Sequence, residues 1–307
     1  MNSQTTVEKN YVEKNYVPDL ASYDHIVVNS SAGKDSQAML DYVYGLAKAA
    51  GCTDKMVVVH CDLGRVEWQG TRELAQEQAE HYGLRFEVVQ RSEDLLDHIE
   101  RHGKFPDSAN RYCTSDHKRG QVDKLLTQLA DETVTSLMAE MTLADPRKKY
   151  KRKDFGQVRI LSCMGFRADE SPARAKRPAF DHGNALRANK KGTFTLGRGT
   201  NTRRLVDQWL PIHGWTVEQV WARIKASGVK HHFAYDLGMR RLSCCFCIMA
   251  DKASLVLAAR HNMDLAKEYA RVEDKIGHKF RLDLPMSEIV RLAEQGADVG
   301  KPVDFAM

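Results

Sequence analysis

No apolar run in this chain of 307 residues approaches the ~18–20 needed to cross a bilayer, and the polar stretch Met1 to Asn15 lacks the apolar core of a signal peptide. A membrane span and a secretory route are not expected; a soluble, cytoplasmic protein is. The length suffices for one large α/β domain or two small ones with a sizeable core. Disulfides are not expected either, because seven cysteines in a reducing compartment read as thiols or metal ligands. Acid is scarce in one place. Residues 147–204 hold 17 Lys and Arg against 4 Asp and Glu, a net of +13 inside a total of +5, which leaves −8 for the remainder. A basic block in an otherwise acidic protein points to a polyanionic partner, with a solvated basic loop as the bland reading.

What is present begins with the apolar run Ile26-Val27-Val28, which leads into Ser30-Ser31-Ala32-Gly33-Lys34-Asp35-Ser36. Three β-branched residues bounded by small, turn-forming ones predict a short buried strand over 26–30. Beyond the loop, Ala38, Met39, Leu40, Tyr42, Val43, Leu46, Ala47 and Ala50 keep helical spacing until Gly51, so a helix is expected over 35–49. Strand, small-residue loop and helix start together aim backbone N–H groups and the positive end of a helix at one point, which suits a phosphate. The loop is not a Walker A motif, which needs Gly at position 28 and Ser or Thr at position 35, where Val28 and Asp35 stand. Ala32 tolerates close packing but not a positive φ, so the left-handed residue of the loop is expected at Gly33.

Residues 1–22, with Val-Glu-Lys-Asn-Tyr twice over within 7–17, read as a flexible arm. From Tyr23 the pattern alternates: a strand over 56–61, a helix over 70–82, a strand over 85–89 and a helix near 93–102. This argues a doubly wound, mainly parallel α/β sheet with ligands at the carboxyl ends of its strands. Asp62-Leu63-Gly64 falls at such an end, where a carboxylate can meet Mg²⁺ or a nucleotide hydroxyl, or merely shape a turn. Asn110 to Lys118 opens a helix through about Leu129, with Thr114, Ser115 or Asp116 as its cap; Cys113 would then sit at the positive helix end, where a thiolate is stabilised. After Pro146 come six bases in seven residues, Arg147, Lys148, Lys149, Lys151, Arg152 and Lys153 around Tyr150. A strand near 158–164 delivers Gly165-Phe166-Arg167-Ala168-Asp169-Glu170-Ser171 at its carboxyl end. Residues 172–203 lack periodicity and are expected to form a long basic loop of the kind that orders on binding. Thr216 caps a helix with Val217, Val220, Trp221 and Ile224 on its apolar face. Cys244-Cys245-Phe246-Cys247 precedes helical tracts near 251–275 and 286–295.

Ser31-Ala32-Gly33-Lys34-Asp35-Ser36 resembles the S-G-G-x-D-S loop of the ATP pyrophosphatase (PP-loop) superfamily at every fixed position but one, where Ala32 replaces the first glycine. Most of residues 25–250 are similar to its phosphoadenosine-phosphosulfate (PAPS) reductase branch through an ordered set of motifs. These are the loop, Asp62-x-Gly64, Arg111-x-Cys113 to Lys118, Gly165-x-Arg167-x-Asp169-Glu170-Ser171, then Pro211, Gly214-Trp215-Thr216, Tyr235, Gly238 and a cysteine-rich end. The resemblance implies a Rossmann-like domain over 23–250, containing a basic region at about 145–205, and a helical extension over 251–307. It implies ATP cleavage between the α- and β-phosphates. Ser31, Ala32, Gly33, Lys34, Asp35, Ser36, Asp62, Gly64 and Arg167 would hold the nucleotide, with Lys34 and Arg167 as phosphate partners and Asp35 and Asp62 as Mg²⁺ contacts.

The resemblance departs in two places. Sulfonucleotide reductases of the family carry a nucleophilic cysteine in a C-terminal tail, whereas the last cysteine here is Cys247. The iron–sulfur members that reduce adenylyl sulfate use paired Cys-Cys and Cys-x-x-Cys, whereas this chain has Cys113 alone and then 244–247. Cys113, Cys244 and Cys247 can hold three corners of a [4Fe–4S] cluster, with Cys163 or Cys245 as a fourth ligand, as in the cluster-bearing thiolation enzymes it resembles. A zinc site completed by His117 or His60 is the alternative. The function expected is an ATP-dependent sulfurtransferase that adenylates a nucleic acid, DNA or tRNA, with Asp35, Lys34, Arg167 and Cys113 as catalytic residues. The bases of 147–153 would track phosphates, and Tyr150 or Phe194 would stack on a base. A sulfur donor such as a cysteine desulfurase is the expected partner, and a homodimer stays open. The rival readings are a reductase or sulfotransferase for a small sulfonucleotide, and a noncatalytic nucleic-acid-binding subunit with a zinc site.

Overall fold

The computed structural model describes residues 16–188 and 194–302, so nearly all of the N-terminal direct repeat lies outside the described residues. In chain order the elements are β1 (His25–Ser30), α1 (Lys34–Ala49), β2 (Met56–Asp62), α2 (Thr71–His81), β3 (Arg85–Gln90) and α3 (Leu95–His102). A single turn, α4 (Tyr112–Thr114), runs through a π-helical turn (Ser115–Arg119) into the long α5 (Gly120–Ala144). Then come β4 (Val158–Cys163), α6 (Pro172–Ala175), β5 (Phe180–Asp181), a small hairpin of β6 (Arg187–Ala188) and β7 (Phe194–Thr195), and β8 (Arg204–Trp209). The chain ends in α7 (Val217–Ser227), α8 (Lys252–His261), α9 (Met263–Ile276) and α10 (Met286–Glu294).

Six strands form one sheet in the order β3-β2-β1-β4-β8-β5, parallel except for β5, which runs antiparallel along β8. Winding reverses at β1, which has β2 on one side and β4 on the other. The crevice beyond its carboxyl end is therefore the switch point where doubly wound sheets bind ligands. The strands read as near-continuous apolar runs because both faces are covered. Ile26 and Val28 pack with Met39, Val43, Val220 and Ile224 of α1 and α7; Val27, Val57 and Val59 pack with Leu125, Leu126 and Leu129 of α5. Burying each such side chain contributes about 1.5–3 kcal/mol. A third core joins Leu63, Trp68, Leu96 and Phe105 to Phe246, Leu255, Tyr269 and Ile289, so the C-terminal helices share a core with segments at the carboxyl edge of the sheet. Among the described residues no helix is long and apolar enough to cross a membrane.

Four features differ from the sequence expectation. β8 is a full sheet strand in a segment that reads as polar; its Asp207 is 5% exposed because it accepts from Tyr23 Oη at 2.8 Å and from the Gly183 N–H at 2.7 Å. Residues 172–203 do not form one loop, since α6, β5 and the β6–β7 hairpin lie within them. α5 continues to Ala144, well past Leu129, although its buried face stops at Val134, where the amphipathic signal ends. The tract at 251–275 is two helices, broken at Asn262, whose φ of −138° and ψ of 52° leave the helical region.

Candidate active site at the carboxyl edge of the sheet

The loop at 31–33 leaves β1 at the switch point and enters α1 through Gly33. Ala32 takes φ +55°, the one non-glycine residue with positive φ among those described, whereas Gly33 is extended at φ −78° and ψ 159°. This corrects the expectation that Gly33 is the left-handed residue. A left-handed alanine costs roughly 1–2 kcal/mol; here full burial and a hydrogen bond from its N–H to Ser30 Oγ at 3.2 Å hold it. Gly33 is needed for space instead, since a Cβ there would stand 3.3 Å from Tyr235 Oη and 3.4 Å from Leu242 Cβ. Ser36 Oγ donates to the Gly33 carbonyl at 2.9 Å and accepts the Ser31 N–H at 3.2 Å, closing the loop on itself.

A buried charge network backs this loop. Lys34, 2% exposed, donates from Nζ to the Arg240 carbonyl at 2.9 Å and lies 3.3 Å from Asp35 Oδ2. Asp35 Oδ1 accepts from Arg167 Nε at 2.6 Å, and Arg167 also grips Asp169. Burial works against the Arg167 charge, but Asp35 and then Asp169 outweigh it and its pKa rises. Gly165 allows this meeting: a Cβ there would stand 3.0 Å from the backbone of Asp35 and Ser36. Glu170 holds Arg174 and Arg241, and the Arg174 guanidinium lies 4.5 Å over the Phe166 ring.

At the mouth of the loop the Lys34 N–H donates to Tyr235 Oη at 2.8 Å, a bond that a phosphate oxygen could take over. Asp62, at the end of β2, accepts the Gly64 N–H at 2.7 Å and lies 3.4 Å from Arg72. Gly64 takes φ +74°, and a Cβ on it would strike Asp94 Cβ at 2.5 Å.

The thiols of Cys113, Cys244 and Cys247 lie at the same edge, packed against one core, each within electrostatic reach of the others. The neighbouring Cys244 thiol pulls Cys247 down, against burial and with help from Lys118 and Arg241, while Cys247 and burial push Cys244 up. Lys118 closes the Arg111-x-Cys113 motif in the sequence, but its place among the thiols was not anticipated there. Burial opposes its charge, but Cys244, Glu67, Cys61 and Cys247 surround its ammonium and raise its pKa.

Burial pushes Cys113 up, in spite of its hydrogen bond with Thr114. The helical turn begins at Tyr112 with Arg111 as its N-cap and no side-chain cap bond, so Cys113 is the second residue of the first turn, still at the amino end of the helix. This corrects the cap expected at 114–116. Cys163 is fully buried in the sheet core, and Cys245 is 2% exposed in the helical core against which the three thiols pack. Among the described residues no three His, Cys, Asp or Glu side chains stand together at metal-ligating distance. The imidazoles offered to zinc are engaged elsewhere: His117 Nε2 with His98 Nδ1 at 2.8 Å, and His60 with the Ser30 carbonyl at 3.1 Å and Glu67 at 3.3 Å.

Burial, then His98 and Arg91, hold His117 down at about 4. An unfolded histidine takes up a proton near pH 6.5, so the unfolded chain binds more protons between pH 6.5 and 4. Stability therefore falls as pH drops through that window, by at most about 3 kcal/mol, and levels off below it. His117→Gln should reduce the slope of this part of a urea-melt pH profile, with His232, which burial also holds at about 4, supplying part of the remainder.

The basic run lies elsewhere. Residues 147–153 sit between the end of α5 and the start of β4, at the amino edge of the sheet, opposite the loop. Arg152 donates to the carbonyls of Phe155, Gly156 and Arg203, and Lys148 Nζ lies 4.9 Å over the Tyr150 ring. The Phe194 side chain lies outside the described ones.

A relative, the uncharacterized 37.8 kDa protein in the gpa 5′ region of Escherichia phage 186, is 28% identical over 167 residues. The match covers 54% of this chain and only 38% of that relative's length. A PAPS reductase from Candida auris, solved as a phosphate complex, is 14% identical with a TM-score of 0.42, over 73% of this chain and 83% of that one. The U34-tRNA thiolase NcsA from Methanococcus maripaludis, solved with its [4Fe–4S] cluster, is 14% identical with a TM-score of 0.41, over 94% of this chain and 77% of that one. Residues 25–250 match the phosphoadenosine phosphosulfate reductase domain, and this chain belongs to that family.

Proposed function

We propose that this chain is an ATP pyrophosphatase-type sulfurtransferase that adenylates a nucleic acid and replaces the activated oxygen by sulfur. The observation that carries this reading is the convergence of Cys113, Cys244 and Cys247 around Lys118, at the same sheet edge as the loop at 31–36. In the first step an acceptor oxygen attacks the α-phosphorus of ATP and the bond to pyrophosphate breaks. The N–H groups at the start of α1, with Lys34 and Arg167, would receive the charge that develops on the leaving group. In the second step a sulfide sulfur attacks the activated atom and AMP leaves with the bonding pair, so the exchange involves no net oxidation or reduction. The donor set suits iron: three thiolates would hold three irons of a [4Fe–4S] cluster and leave the fourth open to sulfur. Lys118 would offset the added negative charge. Asp35 and Asp62 are the carboxylates for Mg²⁺, each already engaged by a cation in the present arrangement.

A small sulfonucleotide is the weaker reading, because the densest basic run lies at the sheet edge opposite the loop and cannot serve a ligand held there. We place the protein in the cytoplasm, with sulfur supplied by a donor such as a cysteine desulfurase. Anaerobic purification followed by iron and acid-labile sulfide assay should give about four of each per chain with visible iron–sulfur absorbance. Stoichiometric zinc with no such absorbance would overturn the proposal.

A further inference from the structure

Three exposed guanidinium groups lie near Cys113. Arg111 and Arg119 bracket the helical turns 112–119, and Arg198 adjoins Gly199, whose Cβ position stands 3.5 Å from Asp123 Oδ1 in the first turn of α5. Asp116 and Asp123 are the nearby acids. Asp116 is engaged by Arg91 at 3.4 Å, and Asp123 lies 3.8 Å from Arg204. Three cations gathered with so little compensation make an electropositive spot at the carboxyl edge of the sheet.

A second spot lies at the amino edge. Arg152 pins residues 147–153 to the start of β8 through the Arg203 carbonyl and ties the turn to itself through those of Phe155 and Gly156, and Asp154 Oδ2 fixes the turn by accepting the Lys151 N–H at 2.7 Å. Lys148, Lys149, Lys151 and Lys153 stay exposed, and among the described residues none of them is in an ion pair with a carboxylate. The two spots are fixed relative to each other by the sheet and by α5. β4, at 6 residues, sets a sheet height of about 20 Å. α5, at 25 residues, runs about 37 Å from the first spot toward the second.

We propose that this chain grips its nucleic acid at both spots, the Arg111–Arg119–Arg198 group beside the thiols and the exposed cations of 147–153, so that tight binding needs about 6–11 nucleotide steps at 3.4 Å each. This deepens the nucleic-acid reading above and rests on it. The arrangement separates affinity from chemistry: the far spot supplies phosphate contacts, and the near spot directs the strand to the reacting edge. The shared chemistry is a phosphodiester backbone, so duplex DNA and stem-loop RNA form two arms of one test.

Fluorescence anisotropy with 4, 8, 16 and 24 base-pair probes of each kind, over a series of salt concentrations, provides the test. Affinity should rise steeply between the 4 and 16 base-pair probes and then flatten. Lys148→Glu/Lys149→Glu/Lys151→Glu should remove that rise, weaken the 24 base-pair probe at least about tenfold and lower the log–log salt slope by about 2.7. Arg119→Glu/Arg198→Glu should weaken every length. Lys48→Glu/Lys225→Glu, exposed cations on the α1–α7 face, should change neither slope nor length dependence. Equal affinity for all lengths, or an equal loss in the Lys48/Lys225 variant, overturns two-point binding and leaves the sulfurtransferase reading standing. No binding to either nucleic acid by a folded, iron-loaded protein that still releases pyrophosphate overturns the nucleic-acid reading itself.

Discussion

Asp35→Asn is expected to lower ATP-dependent pyrophosphate release at least about a hundredfold. The Asp35 carboxylate stands between two buried cations, 3.3 Å from Lys34 Nζ and 2.6 Å from Arg167 Nε. An amide removes one negative charge and presents N–H donors to groups that are themselves donors. Lys34 and Arg167 would then swing or draw in solvent, and the leaving phosphates would lose two aligned positive groups. Breaking a buried pair costs about 3–5 kcal/mol in general. The cost here is smaller, because Asp169 still grips Arg167 and the Lys34 ammonium keeps the Arg240 carbonyl. A thermal melt run beside the assay separates the two effects, the expectation being a folded protein that has lost turnover. Asp169, 49% exposed, should give a milder loss when changed to Asn, since Asp35 still holds the guanidinium. Undiminished pyrophosphate release by Asp35→Asn would remove Asp35 from the catalytic set, and no release by the unaltered chain would favour a noncatalytic subunit with a relic nucleotide loop.

The cysteines should divide into two classes. Cys113→Ala, Cys244→Ala and Cys247→Ala are each expected to remove more than half of the bound iron and to lower sulfur transfer by about a hundredfold or more. Cys163→Ala and Cys245→Ala should keep the iron, because both thiols belong to packed cores, where burial alone pushes Cys163 up and is the first cause of the shift of Cys245 to about 12. Their loss is one of packing, about 1 kcal/mol in a denaturant melt. Iron content measured after anaerobic purification of all five variants checks the division. Equal iron loss in Cys245→Ala and Cys247→Ala would mean that the ligand set was drawn from the wrong residues.

The readable parts of this chain are those where local chemistry and tertiary position agree. Ile26 to Val28 form a strand because both faces are buried, and the loop after them sits at the switch point because β1 has neighbours on both sides. Arg167 meets Asp35 because the exit from β4 lies against α1, which the order of motifs anticipates and Gly165 permits. The rest was hidden for identifiable reasons. Ala32 is left-handed against its own preference, a strain that only the surrounding packing imposes. β8 carries an aspartate whose donors, Tyr23 and Gly183, are far away in sequence. The outer part of α5 buries nothing, so it has no apolar stripe to detect. Lys118 is marked by the Arg111-x-Cys113 motif, but it meets thiols more than a hundred positions downstream, which no local pattern shows. Tyr235 belongs to the ordered set of motifs, but its hydroxyl contact with the Lys34 N–H across the sheet edge could not be read from the sequence.

The decisive measurement follows both products of one reaction. Purified, iron-loaded protein is supplied with ATP, a sulfide source and a nucleic acid of at least about 16 base pairs, and AMP, pyrophosphate and sulfur in the nucleic acid are quantified together. The account requires AMP and pyrophosphate in equal amounts, one of each per sulfur incorporated, and neither above background in Asp35→Asn. Release of ADP and phosphate, or sulfur incorporation that proceeds without ATP, would contradict it.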